Sequence, residues 1–412
     1  MCAGRRSAEI SVRIGPVRFQ TAAIPLGFAW SSPFVRWQGA LAEMSSLDVA
    51  VDVTTRALEE RGLDAGQVEK IVLGWTVPQP TIFYGAPTVA ARIGAEGVSG
   101  PMISQACATS AVCVEAAAMG VEGGDGLTLV VATDRTSNGP VLLYPQPSGM
   151  GGAPRVENWV LDNFARDPWA GEAMVATAEN VAREADLSKP ELDAVTLLRY
   201  EQYRASLAKE RAFQKRYLVP VAVPISRKET RLLEEDQGIY ETTAEGLAAL
   251  KPVTPDGVVT FGTQTHPADG CAGCVVTSVE RARELSRGGG VARILGTGLA
   301  RVAKASMPKA PVPAAQAALR DAGVEIKDVD VVTTHNPFAV NDLWFSRQTG
   351  YPLERMNIYG CSLVYGHPQG PTGLRLIAEL IETLRERGGG TGLFTGCAAG
   401  DTGAAVVVRV ED

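Results

Sequence analysis

The chain has little histidine, no long apolar run and no surplus of positive charge. Three histidines in 412 residues leave few candidates for proton exchange near neutral pH. No stretch approaches the roughly 18 apolar residues of a membrane span, so no membrane partner is expected. A formal net charge of −7 argues against a nucleic-acid surface. It also requires a local basic patch for any anionic ligand. Cysteine is sparse and odd in number, at positions 2, 107, 113, 271, 274, 361 and 397. Such a set is no disulfide framework, so reduced thiols and a cytoplasmic setting are expected. Met1 to Gln20 carries several arginines, but Glu9 and the lack of an apolar run spoil it as a signal peptide, and it reads as an N-terminal extension. The closing Val410-Glu411-Asp412 is no peroxisomal address. What is present is an ordinary globular composition, 45% hydrophobic and 21% charged, in a chain long enough for two or more cores.

A weak internal repeat organises the chain. Arg56-Ala57-Leu58-Glu59-Glu60-Arg61-Gly62-Leu63-Asp64 resembles Ala317-Ala318-Leu319-Arg320-Asp321-Ala322-Gly323-Val324-Glu325, an offset of 323 − 62 = 261 residues. In each copy a helical run ends at glycine, crosses a short polar link and enters a strand, Val68 to Leu73 and Val329 to Thr333. Helix then strand in both copies predicts α/β units. The same offset sets Cys107 on Pro368, beside His367, and each precedes a helical run, Ala111 to Met119 and Leu374 to Leu384. Further on, Leu127 to Thr133 matches Gly392 to Cys397 at a slightly larger offset. Agreement at three places makes chance a poor explanation. Two like halves would each offer a helix N-terminus to a shared cleft.

Between the halves lies Thr136 to Leu250, richer in charge, with helical patterns at Met174 to Ala185 and Lys189 to Ala208. It reads as an insertion into the first half. Val258 to Phe261 and Cys274 to Ser278 then read as returning strands of that half, and Ser286 to Gly290 as a link. The expected organisation is residues 1–135 with 251–285 as the first half, 136–250 as the inserted domain and 286–412 as the second half.

Two thiols and one histidine sit in turns of small residues. Cys107 lies in Ser104-Gln105-Ala106-Cys107-Ala108-Thr109-Ser110, where a helix start would favour its thiolate. Cys113, about one and a half turns on, reads as core. His367 stands in Gly366-His367-Pro368-Gln369-Gly370, placed to exchange protons rather than to pack. Cys397 falls in Gly396-Cys397-Ala398-Ala399-Gly400, a turn whose N–H groups could converge on an oxyanion. Each alone is as well explained by packing or by an exposed turn. The repeat, which pairs Cys107 with His367, points to acyl transfer through a covalent thioester. His335-Asn336-Pro337-Phe338 follows a strand, where ligands bind in open α/β sheets, though ordinary loop chemistry accounts for it equally well. Cys271-Ala272-Gly273-Cys274 is a lone CxxC with no second pair, so strand packing is expected and no metal site. His266 receives no role.

These segments together resemble the thiolases, acetyl-CoA C-acyltransferases, from about Ser32 to Val410. Gln105 to Ser110 is similar to their nucleophile segment, Met174 through Ala182 to the methionine-bearing coenzyme A segment, Asn357 to Arg375 to the histidine segment, and Gly396 to Ala405 to the second-cysteine segment. The resemblance implies a five-layered αβαβα fold of two similar halves with an inserted loop domain. It implies that Cys107 carries the acyl group, His367 activates it, and Cys397 moves the α-proton of acetyl-CoA. An oxyanion hole would come from the N–H groups of Cys107 and Ala399, with His367. Coenzyme A thioesters would be substrates, with no covalently bound cofactor. Met174 and Thr265 would contact coenzyme A, and Arg227 and Lys228, within the basic run from Arg199 to Arg231, its phosphates. A homodimer or homotetramer is the implied assembly. Four departures stand out. His335-Asn336-Pro337-Phe338 replaces the common Asn-Glu-Ala-Phe and shares only its leading histidine with sterol-carrier-protein-type thiolases. Thr109-Ser110 replaces Ser-Gly, Ala398-Ala399 alters the turn after the second cysteine, and Thr263 to His266 replaces Asn-Ala-Ser-Gly. With His335 and Asn336 counted among the catalytic candidates, a ketoacyl-synthase-like use of Cys107, His335 and His367 remains a second reading, and a non-catalytic subunit a third.

Overall fold

The computed structural model describes residues 19–412; Cys2 and nearly all of the N-terminal extension read from the sequence lie outside them. One strand–helix pattern occurs twice. In the first half, strand Ala22–Pro25 leads to helix Ser46–Arg61, strand Lys70–Gly74, helix Thr109–Glu122, strand Thr128–Arg135 and a returning strand, Ala268–Ser278. In the second, Val291–Arg301 leads to Pro311–Ala322, Val331–His335, Thr372–Glu386, Gly390–Ala398 and Thr402–Glu411. The pairing is the same in both. Lys70–Gly74 runs parallel to Thr128–Arg135, as Val331–His335 does to Gly390–Ala398, and each returning strand is antiparallel to the latter. The two opening strands pair antiparallel, Ala23 opposite Arg293, and join the wings into one 11-stranded sheet.

The repeated glycines have a direct cause. Gly62 and Gly323 end their helices with φ of 63° and 66°, the left-handed conformation that costs glycine no Cβ clash. In each case the glycine N–H and the next one fold back onto the last turn, Leu63 onto Leu58 and Val324 onto Leu319.

Helices Thr109–Glu122 and Thr372–Glu386 pack on each other between the wings, each touching strands of both. Ser46–Arg61 covers the outer face of the first wing and Pro311–Ala322 that of the second. The layer order is therefore αβαβα. The inner helix of the first half carries alanines 111, 117 and 118 and Cys113, all buried; its small side chains let two sheets close on it. Cys271 and Cys274 point to opposite faces of strand Ala268–Ser278, one into the outer core and one into the central core, so they serve packing and cannot share an ion.

Val258 to Phe261 differs from expectation. It is no ladder strand: the Val258 and Val259 N–H groups are taken by the Glu179 carboxylate, and Thr260 makes only an isolated bridge to Pro252. Arg199 also differs. It stands apart from the basic run that was expected to attract phosphates, because it is fully buried and bound to Asp342 at 2.8 Å. A second buried pair, Arg375 with Asp236, is bidentate at 2.6 and 2.8 Å. Both pairs run between segment 136–250 and the second half. Among the described residues no helix is long and apolar enough to cross a membrane.

Candidate active site

Cys107 sits at the turn before helix Thr109–Glu122. The turn is tight: Ala106 has a φ of 45°, a left-handed conformation that a non-glycine residue holds only under constraint. Thr109 supplies that constraint, its hydroxyl accepting from Gln105 N–H and donating to the Ala106 carbonyl. His367 stands at the matching turn of the second half. Its backbone is clamped, the N–H donating to the His266 carbonyl and the carbonyl accepting from Ala268 N–H. Gly366 must be glycine there: φ is 88°, and a Cβ would meet the His266 ring at 2.8 Å.

The two turns bring thiol and imidazole together. Cys107 Sγ lies 3.1 Å from His367 Nε2 and 3.3 Å from the Gln369 side-chain oxygen. His367 Nδ1 is 2.6 Å from the Thr372 hydroxyl; with the Nδ1 proton donated there, Nε2 is left to accept the thiol proton. Cross-half contacts fix the approach. The Ser110 hydroxyl donates to the Gly370 carbonyl, and Gly370 N–H donates to Asp134 at 2.8 Å. Burial pushes the Cys107 thiol up to about 12, opposed by the N–H groups of Ala399 and of Cys107 itself, both aimed at the sulfur. Burial, with His335 beside it, holds His367 well below the usual imidazole range. The resting pair is therefore neutral thiol and neutral imidazole.

Cys397 is the next-to-last residue of strand Gly390–Ala398 and is buried. Asn341 donates to its sulfur at 3.2 Å. Burial raises this thiol well above its ordinary value, and the neighbouring Cys107 raises it further. His335 stacks on His367 with ring centres 4.0 Å apart, and burial pushes it down to about 3. Asn336 turns elsewhere: its amide donates to Asp342 at 2.7 Å and to Cys361 at 3.2 Å, and its oxygen accepts from Ser362 and Leu363. It supports the wall and does not face the reacting sulfur.

A cavity of about 1200 Å³ opens onto Cys107, His367, Gln369 and Ala399. Its lining is mostly apolar, with Trp159, Phe164, Trp169, Leu247, Phe261 and Phe338. Met174 and Thr265 line it, Thr265 being held by the Ser362 carbonyl at 2.5 Å. Arg227 and Lys228 do not: they are exposed on the turn between strands Val221–Pro224 and Thr230–Leu233. Sequence reasoning missed Gln369, Thr372, Ser362, Asn341 and Asp134. Gln369 carried one legible signal, its place two residues after His367; the others are met only through tertiary contact.

Two like α/β halves set a thiol against an imidazole across a shared cavity, the pairing that thiol-dependent acyl transfer needs. Residues 29–280 match the thiolase N-terminal domain and residues 289–410 the thiolase C-terminal domain. The chain belongs to the thiolase family. It is 30% identical to an acetyl-CoA acetyltransferase of Escherichia coli over 382 residues, 90% of this chain and 95% of that one. A Pseudomonas aeruginosa acetyl-CoA acetyltransferase is likewise 30% identical, over 378 residues, 90% of this chain and 95% of its own. The fold superposes on a crystal structure of the Bacillus anthracis acetyl-CoA acetyltransferase with a TM-score of 0.87 at 26% identity, covering 96% of this chain and 100% of the other. Human mitochondrial 3-ketoacyl-CoA thiolase in complex with CoA shares the fold at a TM-score of 0.87 and 24% identity, covering 97% of this chain and 100% of that one.

Proposed function

We propose that this chain is a thiolase-type acyltransferase that joins an acyl-CoA to acetyl-CoA, or cleaves a 3-oxoacyl-CoA, through a thioester on Cys107. The 3.1 Å contact between Cys107 Sγ and His367 Nε2 at the cavity wall carries the reading. His367 takes the thiol proton as sulfur attacks the substrate carbonyl, and the coenzyme A thiol leaves with that proton. A neutral resting pair suits this: the proton moves with the attack, and no thiolate has to be stored. The N–H groups of Cys107 and Ala399 stabilise the oxyanion. Cys397, its own proton passed to His367, then takes the α-proton of acetyl-CoA; the carbanion attacks the acyl group on Cys107, and the Cys107 sulfur leaves with the proton held on His367. The reverse order gives thiolysis.

Met174 and Thr265 are the proposed coenzyme A contacts within the cavity. The phosphates would extend past it toward Arg227 and Lys228. The segment 136–250 is proposed as the inserted coenzyme A domain between halves 1–135 with 251–285 and 286–412. Assembly as a homodimer or homotetramer in the cytoplasm completes the proposal; apolar side chains exposed on hairpin Val141–Tyr144 with Arg155–Asn158 support association.

One observation favours a decarboxylating, ketoacyl-synthase-like reading: Cys107, His335 and His367 cluster closely, with their ligand-type atoms within 4.8 Å of one another. Intact-mass and peptide analysis after acetyl-CoA or acetoacetyl-CoA exposure tests the main proposal. It requires an acyl adduct on Cys107 and deuterium exchange at the α-carbon of acetyl-CoA that depends on Cys397. An adduct without that exchange moves the enzyme to the second reading, and no adduct leaves a non-catalytic subunit.

A further inference from the structure

We propose that Cys107, His335 and His367 form a binding site for a borderline-soft divalent cation of the Zn2+ class, and that its occupancy silences the nucleophile. Only the silencing rests on the proposed catalytic role of Cys107; the binding rests on geometry. The sequence holds no zinc motif, since the three residues are separated by 228 and 32 positions. Folding alone assembles them.

The hydrogen-bond network assigns the proton on His335. Ser362 has one hydroxyl proton, and it faces the Asn336 oxygen at 3.2 Å. Its lone pairs then accept Asn336 N–H at 3.2 Å and the His335 Nδ1 proton at 2.9 Å. His335 Nε2 is left with a bare lone pair. It is buried and has no hydrogen-bond partner, a costly state for a polar atom. His367 Nδ1 meets the Thr372 hydroxyl at 2.6 Å, so that hydroxyl can take an Nδ1 proton and leave Nε2 bare in the same way. Two neutral imidazoles thus turn Nε2 lone pairs toward one thiol, and each is oriented by a hydroxyl on its far nitrogen, as metal-bound histidines are.

Imidazole, imidazole and thiolate select Zn2+-like ions over Mg2+ or Ca2+, which take oxygen ligands. Tetrahedral zinc, with bonds of ~2.0 Å to nitrogen and ~2.3 Å to sulfur, spaces its ligands by roughly 3.3–3.6 Å. The widest separation here, within 4.8 Å, must therefore close by about an ångström, within reach of a Cys107 rotation. The cavity provides entry and leaves a fourth position for water. Binding converts the thiol to thiolate and releases one proton to solvent. Both imidazoles are already neutral, so only the thiol contributes protons, and affinity should rise about tenfold per pH unit below the thiol pKa.

The test titrates the full-length protein, first treated with chelator, with Co2+ as a spectroscopic stand-in, then with Zn2+ and Mg2+. We expect a thiolate-to-cobalt charge-transfer band at one ion per chain, displaced by Zn2+ and untouched by Mg2+. Zn2+ should also protect Cys107 from iodoacetamide, reversibly with chelator. His335→Ala should weaken Zn2+ binding by more than about 100-fold, the upper range for losing a mere orienting partner. His335→Asn keeps a polar group toward Ser362 and should do the same if the alanine variant fails to fold. No band, a band that survives Cys107→Ser, or unchanged affinity in both His335 variants would overturn the site. Acyl-adduct formation on the metal-free protein is read separately. An adduct without metal binding removes this inference alone; metal binding without an adduct removes the thiolase reading and leaves the site.

Discussion

Gly62 and Gly323 end corresponding helices in the same left-handed turn, and the strands that follow pair in the same way. The next turns then diverge. The first half places a thiol before its inner helix, and the second places an imidazole before the matching one. A duplicated scaffold fixes where two groups meet, and single residues in the turns decide what chemistry they do. The supports differ accordingly. Cys107 is held by a strained local turn, with Ala106 at a φ of 45° and Thr109 bridging it. His367 is held by contacts from distant segments, His266, Ala268 and, through helix Thr372–Glu386, Asp236.

Exchanging the residue that distinguishes the first half should have the largest effect. Cys107→Ser should abolish acyl-adduct formation and lower turnover by about 10⁴-fold or more, because a hydroxyl with a neutral imidazole is a far weaker nucleophile than sulfur. Steady-state thiolysis of acetoacetyl-CoA and peptide mass analysis check it together. Near-normal turnover would remove the asymmetry between the halves as a chemical fact. Cys397→Ala should lower condensation by about 10²–10⁴-fold, the range for losing a general acid–base group, while Cys107 still acylates. Adduct formation with loss of α-proton exchange is the expected pair of results; loss of both would assign Cys397 to support of Cys107 instead.

The distant support of the second half should matter next. Asp236 accepts two hydrogen bonds from Arg375, and both side chains are fully buried. The Tyr203 hydroxyl and the Phe34 N–H also donate to Asp236, while Glu379 takes the Arg375 Nε–H. Removing one partner of such a pair leaves an uncompensated buried charge and costs about 3–5 kcal/mol. Asp236→Ala should therefore lower the unfolding midpoint strongly, and Asp236→Asn, which keeps the shape, less. Arg375 lies one turn after Thr372, so a folded Asp236→Asn variant should also lose more in kcat than in KM as the His367 contact loosens. A stable variant with unchanged kcat would show that the second half needs no such anchor.

The repeat was legible because glycine at a helix end and alternating elements are local signals, written in neighbouring residues. It led to Cys107, His367 and two like α/β halves; the layer order came with the family resemblance. Arg199 shows where that reading stops. Its charge and its place in a basic run gave no sign that Asp342, 143 residues away, would bury it. Ser362 and Thr372 were silent for the same reason: a hydroxyl becomes part of a site only when another segment brings a ring to it. Val258 to Phe261 failed in the opposite sense. Its apolar residues have strand propensity, but Glu179 captured the N–H groups that a ladder would need.

The smallest effect tests the repeat itself. Gly62→Ala and Gly323→Ala each force a side chain into left-handed backbone, which costs about 1–2 kcal/mol. At Gly323 a Cβ would meet nothing within 4 Å, whereas at Gly62 it would approach the Arg287 guanidinium at 3.0 Å. That group ends a long flexible side chain and can withdraw, so the two substitutions should destabilise the protein alike, within about 0.5 kcal/mol, the usual scatter between independent sites. Denaturant unfolding of the two variants, followed by far-UV circular dichroism, compares them directly. Equal shifts of one common transition mean that the halves, joined through the Ala23–Arg293 strand pair and the two inner helices, unfold as one unit. A separate early phase in one variant alone would mean that each half keeps its own stability, and that the duplicated turn bears unequal loads in the two.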